Sequence, residues 1–86
     1  MIKIYGSKNC VWCTKAKDLC ENYSIIYEYS DAEDLDIYEE MKNKIPHKNP
    51  ITLPQIFWNN RYIGGFRNLE QEIENTNIGN YGQGTI

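Results

Sequence analysis

Residues 2–13, Ile2-Lys3-Ile4-Tyr5-Gly6-Ser7-Lys8-Asn9-Cys10-Val11-Trp12-Cys13, decide the fold. From Ile2 to Tyr5 apolar and polar side chains alternate and then meet Gly6, the pattern of a short first strand. Ser7 to Asn9 form a polar turn that delivers the chain to Cys10. From about Val11 to Tyr23 the apolar spacing changes to three and four, with Trp12, Ala16, Leu19, Cys20 and Tyr23 on one helical face. Lys15, Lys17, Asp18 and Glu21 fill the outer face, and Asn22 and Ser24 stand near the helix end as breakers. A strand thus gives way to a helix across a Cys-x-x-Cys pair.

Working outward, Ile25-Ile26-Tyr27-Glu28-Tyr29 is rich in branched and aromatic residues and reads as a second strand. Joined to the first through a helix, it forms a right-handed parallel unit. Ser30 or Asp31 is placed to cap a second helix running through Leu35, Ile37, Tyr38 and Met41. Pro46 and Pro50 bracket a loop that should not be helical; His47, inside it, is assigned no role. Gln55-Ile56-Phe57-Trp58 and Arg61-Tyr62-Ile63 flank Asn59-Asn60, a pair that tolerates the positive φ angles of a two-residue hairpin. Gly64-Gly65 ends the hairpin, and a last helix from Asn68 to about Asn75 buries Leu69 and Ile73. The expected division is a domain over residues 1–76 and a frayed Gly- and Asn-rich tail over 77–86. The order βαβαββα is that of a three-layer α/β domain, the thioredoxin-like fold, with a central four-stranded mixed sheet flanked by helices.

With 86 residues the chain fits one domain able to build its own core. No segment approaches the roughly 20 consecutive apolar residues of a membrane span. Met1 to Gly6 is too short an apolar run for a signal peptide and contains Lys3. These features lead to the expectation of a soluble, cytoplasmic protein, in which thiols serve chemistry rather than structural bridges; a monomer is expected. The net charge of −3 comes without a basic stripe, which argues against nucleic-acid binding. The acidic stretch from Glu28 to Glu40 reads as a solvated loop and helix face.

Cys10 and Cys13 carry the chemistry. Three residues is nearly one helical turn, so both sulfurs meet at the start of one helix. There the helix dipole and free backbone N–H groups stabilise a thiolate, the nucleophile of disulfide exchange. Lys8, two residues before Cys10, adds a positive charge acting in the same direction. Cys10 at the helix start is assigned the attacking role, and Cys13, further in, the resolving role. Metal binding is the competing reading, but one pair supplies two ligands where structural zinc takes four. Cys20 and His47 form no second pair, and no metal is assigned. Cys20 lies about 10 Å along the helix from Cys13 at ~1.5 Å per residue, beyond the roughly 7 Å a disulfide spans. It reads as a buried, small apolar residue. Gly64-Gly65 has two readings, a strand-ending turn or a place where a bound peptide approaches the backbone closely.

On these residues the sequence resembles the glutaredoxin family. Thr14-Lys15-Ala16-Lys17-Asp18-Leu19 is similar to the helix after that family's Cys-Pro-Tyr-Cys motif. Thr52-Leu53-Pro54-Gln55-Ile56-Phe57 resembles its Thr-Val-Pro-Gln-Ile-Phe segment, and Tyr62-Ile63-Gly64-Gly65-Phe66 its Ile-Gly-Gly segment. The match runs from about Ile2 to Ile73, and in style is nearest to phage-encoded dithiol members with Cys-Val-x-Cys motifs.

The resemblance implies a glutathione-dependent thiol–disulfide oxidoreductase, with glutathione as co-substrate and no tightly bound cofactor. Its clients would be protein disulfides, ribonucleotide reductase among them, and glutathione mixed disulfides. It also implies a cis peptide bond before Pro54 and antiparallel pairing of the Leu53 backbone, beside Thr52, with the cysteinyl part of glutathione. Lys8 would hold the glycine carboxylate, Trp12 would wall the groove, and Gly64-Gly65 would admit the bound peptide. Asn68 stands where the family has a polar or acidic residue for the γ-glutamyl end; it can donate to a carboxylate but cannot pair with the ammonium as Asp would. Val11 replaces the family's usual Pro and restores a backbone N–H near the thiolate. Two alternatives stand beside this reading: a reductant fed by thioredoxin reductase, and a non-enzymatic module that bridges an iron–sulfur cluster as a dimer.

Overall fold

The computed structural model describes residues 1–46 and 50–76. His47 and the tail from residue 77 lie outside that range. The elements follow the expected order: β1 (Ile2–Gly6), α1 (Val11–Asn22), β2 (Tyr27–Asp31), α2 (Leu35–Lys44), β3 (Gln55–Trp58), β4 (Arg61–Gly64) and α3 (Phe66–Asn75). They build one four-stranded sheet in the order β2-β1-β3-β4. The helical crossover makes β2 parallel to β1, while β3 runs antiparallel to both β1 and β4. Asn59 and Asn60 take φ angles of 51° and 69°, so the two-residue turn between β3 and β4 is the one the Asn-Asn pair predicts.

Strand alternation divides the core. Ile2, Ile4 and Ile56 face one side of the sheet, where Ala16 and Cys20 of α1 and Leu69 and Ile73 of α3 cover them. Tyr5 and Phe57 face the other side and pack with Ala32, Met41 of α2 and Ile45. Two helices on one face and one on the other complete the three layers. Cys20 is fully buried in the first cluster, and burial, with a smaller effect from Glu21, pushes its thiol up to about 11. It packs as the small apolar residue that its spacing suggested.

Three boundaries differ from the expected ones. β2 begins at Tyr27 rather than Ile25, because Ile25 N–H donates to the Cys20 carbonyl and closes the end of α1. Ile26 is consequently exposed. β2 then runs on to Asp31, paired with Gly6, and the Asp31 carboxylate accepts from the Glu33 N–H at 2.9 Å, ahead of α2. The cap of α2 is neither Ser30 nor Asp31 but Asp34, whose Oδ1 accepts from the N–H groups of Asp36 and Ile37 at 2.9 and 3.2 Å. α3 starts at Phe66, two residues before Asn68, because Gly65 takes the N-cap position and Asn68 reaches back to it from the first turn. Tyr23 caps the C-terminus of α1 and is exposed, outside the buried face.

The antiparallel arrangement decides where the chemistry sits. Tyr5 pairs with Gln55 and Ile56 with Gly64, so the end of β1, the start of β3 and the end of β4 share one edge of the molecule. The N-termini of α1 and α3 open onto the same edge.

Candidate active site

β1 ends at Gly6 and the chain turns through Ser7, Lys8 and Asn9 into α1. Cys10 is the N-cap of that helix, with extended φ and ψ of −115° and 111°. Its Sγ accepts from the Cys13 N–H at 3.2 Å. N-caps are ordinarily Ser, Thr, Asp or Asn, whose side-chain oxygen takes up an orphan amide. Here sulfur occupies that position, so the helix directs an N–H onto the atom that bears negative charge once the disulfide opens.

Cys10 and Cys13 are disulfide-bonded, with their Cα atoms 5.2 Å apart. Cys13 is completely buried whereas Cys10 is half-buried, so an incoming group reaches Cys10 first. Beneath the pair, Gly6 leaves room that no other residue would. A Cβ there would lie 2.8 Å from the Tyr29 ring and 2.9 Å from Cys13 Sγ. Tyr29 donates its hydroxyl to the Ser7 carbonyl at 2.9 Å and pins the turn before Cys10. Burial, followed by the charges of Asp31 and Glu33, raises the Tyr29 phenol and keeps it a donor.

The opposite wall comes from the segment before β3. The Leu53–Pro54 peptide bond is cis, as the resemblance implies. The Leu53 carbonyl oxygen lies 3.8 Å from Cys10 Sγ, across 43 residues of sequence. From there a groove of about 210 Å³ extends between Trp12, Thr52, Leu53, Pro54, Gly65, Phe66 and Arg67. Trp12 is 45% exposed and rests on Phe66, ring centroids 5.5 Å apart. Lys15 Nζ and Arg67 Cζ lie 5.4 and 5.8 Å from the Trp12 ring, within cation–π range.

Of the residues singled out from sequence, Trp12, Thr52, Leu53, Pro54 and Gly65 line this groove beside Cys10. Gly64 lies behind it, buried, with φ +121°. Asn68 is exposed and its Oδ1 accepts from the Gly65 N–H at 3.0 Å, so one of its side-chain groups serves the helix cap. Lys8 is exposed in the turn before Cys10 and is not among the groove-lining residues. Phe66, quoted only within a matching segment, and Arg67 were not assigned to the site, because α3 was expected to begin only at Asn68. Gln55 was quoted only as part of a matching segment, yet it is buried and donates from Nε2 to the Thr52 carbonyl at 2.6 Å.

Residues 2–63 match the sequence profile of a family described as Glutaredoxin. The chain belongs to the glutaredoxin family. Glutaredoxin 1 of Rickettsia prowazekii is 38% identical over 76 residues, covering 83% of this chain and 78% of that protein. Glutaredoxin 1 of Escherichia coli K12 is 35% identical over 68 residues, covering 73% and 80%. The solved structure of reduced Escherichia coli glutaredoxin superposes with a TM-score of 0.72 at 31% identity, covering 86% of this chain and 93% of that one. The molecule is accordingly a thiol–disulfide oxidoreductase, and Cys10–Cys13 is its redox-active disulfide. As a glutaredoxin it presents one sulfur at a helix cap and withholds the other. Among its described residues no helix is long and apolar enough to cross a membrane.

Proposed function

We propose that this glutaredoxin takes electrons from glutathione and delivers them to disulfides of client proteins and to glutathione mixed disulfides. The observation that carries the reading is the position of Cys10 Sγ, capped by the Cys13 N–H and facing the Leu53 carbonyl at the mouth of the groove.

In the reduced protein the Cys10 thiolate attacks a client disulfide, forming a mixed disulfide and releasing one client thiolate, which takes up a proton. The Cys13 sulfur, as thiolate, then attacks Cys10 Sγ. The second client thiol leaves and the Cys10–Cys13 disulfide forms, so two electrons have passed to the client. One glutathione thiolate attacks Cys10 and frees Cys13. A second attacks the resulting mixed disulfide, which yields glutathione disulfide and the starting dithiol. Attack along this route needs the exposed sulfur to be the better leaving and entering group, and the N-cap hydrogen bond supports that assignment.

For the tripeptide, Thr52, Leu53 and Pro54 provide a backbone edge next to Cys10, with Trp12 as the facing wall. Lys8 would take the glycine carboxylate. The γ-glutamyl end would lie toward Gly64, Gly65 and Asn68, with Arg67 offering a guanidinium to its carboxylate. With Asn68 Oδ1 bound to Gly65, the side-chain NH₂ is the group left for the ligand. Ribonucleotide reductase is a client of suitable chemistry, and a cytoplasmic monomer is the proposed working form.

The test is a coupled assay with glutathione, glutathione reductase and a small disulfide. Turnover is expected for the wild-type protein and none for Cys10→Ser. Cys13→Ser should still reduce glutathione mixed disulfides, because a second glutathione can resolve Cys10, while losing the intramolecular route to protein disulfides. An inactive wild-type protein, or full activity in Cys10→Ser, would overturn the reading.

A further inference from the structure

Gln55 is the buried polar side chain of the core among the described residues, at 2% exposure. Both ends of its amide are engaged. Nε2 donates to the Thr52 carbonyl at 2.6 Å, and Oε1 accepts from the Tyr62 hydroxyl at 2.6 Å. An amide oxygen only accepts, so Tyr62 is the donor. Burial raises the Tyr62 phenol, which keeps its proton at neutral pH. Gln55 opens β3 and Tyr62 lies in β4, so the anchor belongs to the sheet while the held carbonyl belongs to the loop.

The consequence follows from peptide planarity. The Thr52 carbonyl and the Leu53 N–H belong to one trans peptide unit, in which the two groups point in opposite directions. A carbonyl drawn toward the core by Gln55 turns the Leu53 N–H away from it. Pro54 has no N–H, so of the two residues joined by the cis bond Leu53 is the one with a backbone donor.

We infer that Gln55 is a positioning residue, which holds the Thr52 carbonyl inward and thereby aims the Leu53 N–H at a peptide carbonyl of the thiol-bearing ligand in the groove. The inference rests on the glutathione reading above. It assigns to one buried amide the orientation of the edge along which the ligand backbone pairs.

Gln55→Met keeps length and apolar bulk but removes the donor to Thr52. Gln55→Glu supplies that donor only when its carboxyl is protonated, so it should regain function as pH falls. The measurements are KM and kcat for reduction of a glutathionylated peptide, together with the rate of Cys10 alkylation by iodoacetamide, which needs no groove. Gln55→Met should raise KM about 10-fold, with kcat and alkylation within about two-fold of wild type. The KM of Gln55→Glu, taken relative to wild type at each pH, should approach unity on acidification while that of Gln55→Met stays high. Tyr62→Phe, the mildest change, should raise KM about three-fold and serves if the Gln55 variants fail to fold. An unchanged KM, or an equal loss in alkylation, overturns the inference. A wild-type protein that ignores the glutathionylated peptide sinks the glutathione reading instead. Gln55 is then judged on a plain peptide disulfide with dithiothreitol as reductant, where the same rise in KM supports it and its absence overturns it.

Discussion

At the scale of single residues, the two adjacent glycines at the end of β4 have different duties. Gly64 sits at φ +121°, a region that L side chains rarely adopt, and a Cβ there would lie 2.8 Å from Asn68 Cγ. Gly65 has φ −99° and a Cβ on it would make only ordinary contacts, with the Pro54 carbonyl at 3.8 Å and Asn68 Oδ1 at 4.0 Å. Gly64→Ala should therefore cost about 1–3 kcal/mol in urea unfolding, through backbone strain and displacement of the Asn68 cap. Gly65→Ala should stay within about 0.5 kcal/mol of wild type. Equal losses in the two variants would falsify this division. Val11 is a second residue whose place explains a departure. It occupies the first position of α1 and is exposed. Proline is tolerated at that position, so the family's usual residue and this chain's valine fit one helix start. The Cys-x-x-Cys pair was legible as a site because its chemistry is written in residue type, and Thr52-Leu53-Pro54 only through its resemblance to a family segment. Gln55, Phe66 and Arg67 were not, because what they touch depends on partners far along the chain.

At the scale of elements, the three helices begin in three ways. α2 starts on Asp34, a carboxylate that accepts two backbone N–H groups. α3 starts on Gly65, whose own N–H is bound by Asn68 from the first turn. α1 starts on Cys10, which caps with sulfur. Asp34→Ala should lower stability by about 1 kcal/mol and leave disulfide reduction unchanged, measured by urea unfolding beside the coupled assay. A matching fall in activity would show that α2 is coupled to the site at the edge of the sheet. The contrast also explains where element boundaries were misread. Ser30 and Asp31 have capping chemistry, but β2 runs through both and leaves them too far ahead of Leu35 to cap α2. Which of several capable residues caps a helix is settled by where the preceding strand stops.

At the scale of the whole molecule, burial has placed ionisable groups in both core layers. Tyr5 is completely buried, donates its hydroxyl to Glu40 at 2.6 Å, and is raised well above the ordinary phenol range, by burial first and Glu40 second. Cys20 in the other layer is raised from 9.0 to about 11. A raised pKa in the folded state means that stability is fully present below the unfolded value and is lost as pH rises through the folded one. The urea midpoint of the oxidised protein should hold to about pH 9 and fall toward pH 11. Cys20→Ala should remove up to about 2–3 kcal/mol of that alkaline slope, the worth of two pKa units. An identical slope in both proteins would show that the Cys20 thiol does not titrate with unfolding. By itself the sequence determined the order of the elements, the hairpin at Asn59-Asn60, the redox pair and the family, because periodicity, turn chemistry and motif spacing are local properties. Only the tertiary structure decided that Cys10 Sγ would face the Leu53 carbonyl, that Phe66 and Arg67 would line the groove, and that Gln55 would hold Thr52. Those contacts exist because antiparallel pairing of β1, β3 and β4 brings their ends to one edge, and such long-range register is not carried by any single segment. The Cys-x-x-Cys pair was therefore readable as chemistry from the outset, while the wall it works against had to be folded into place.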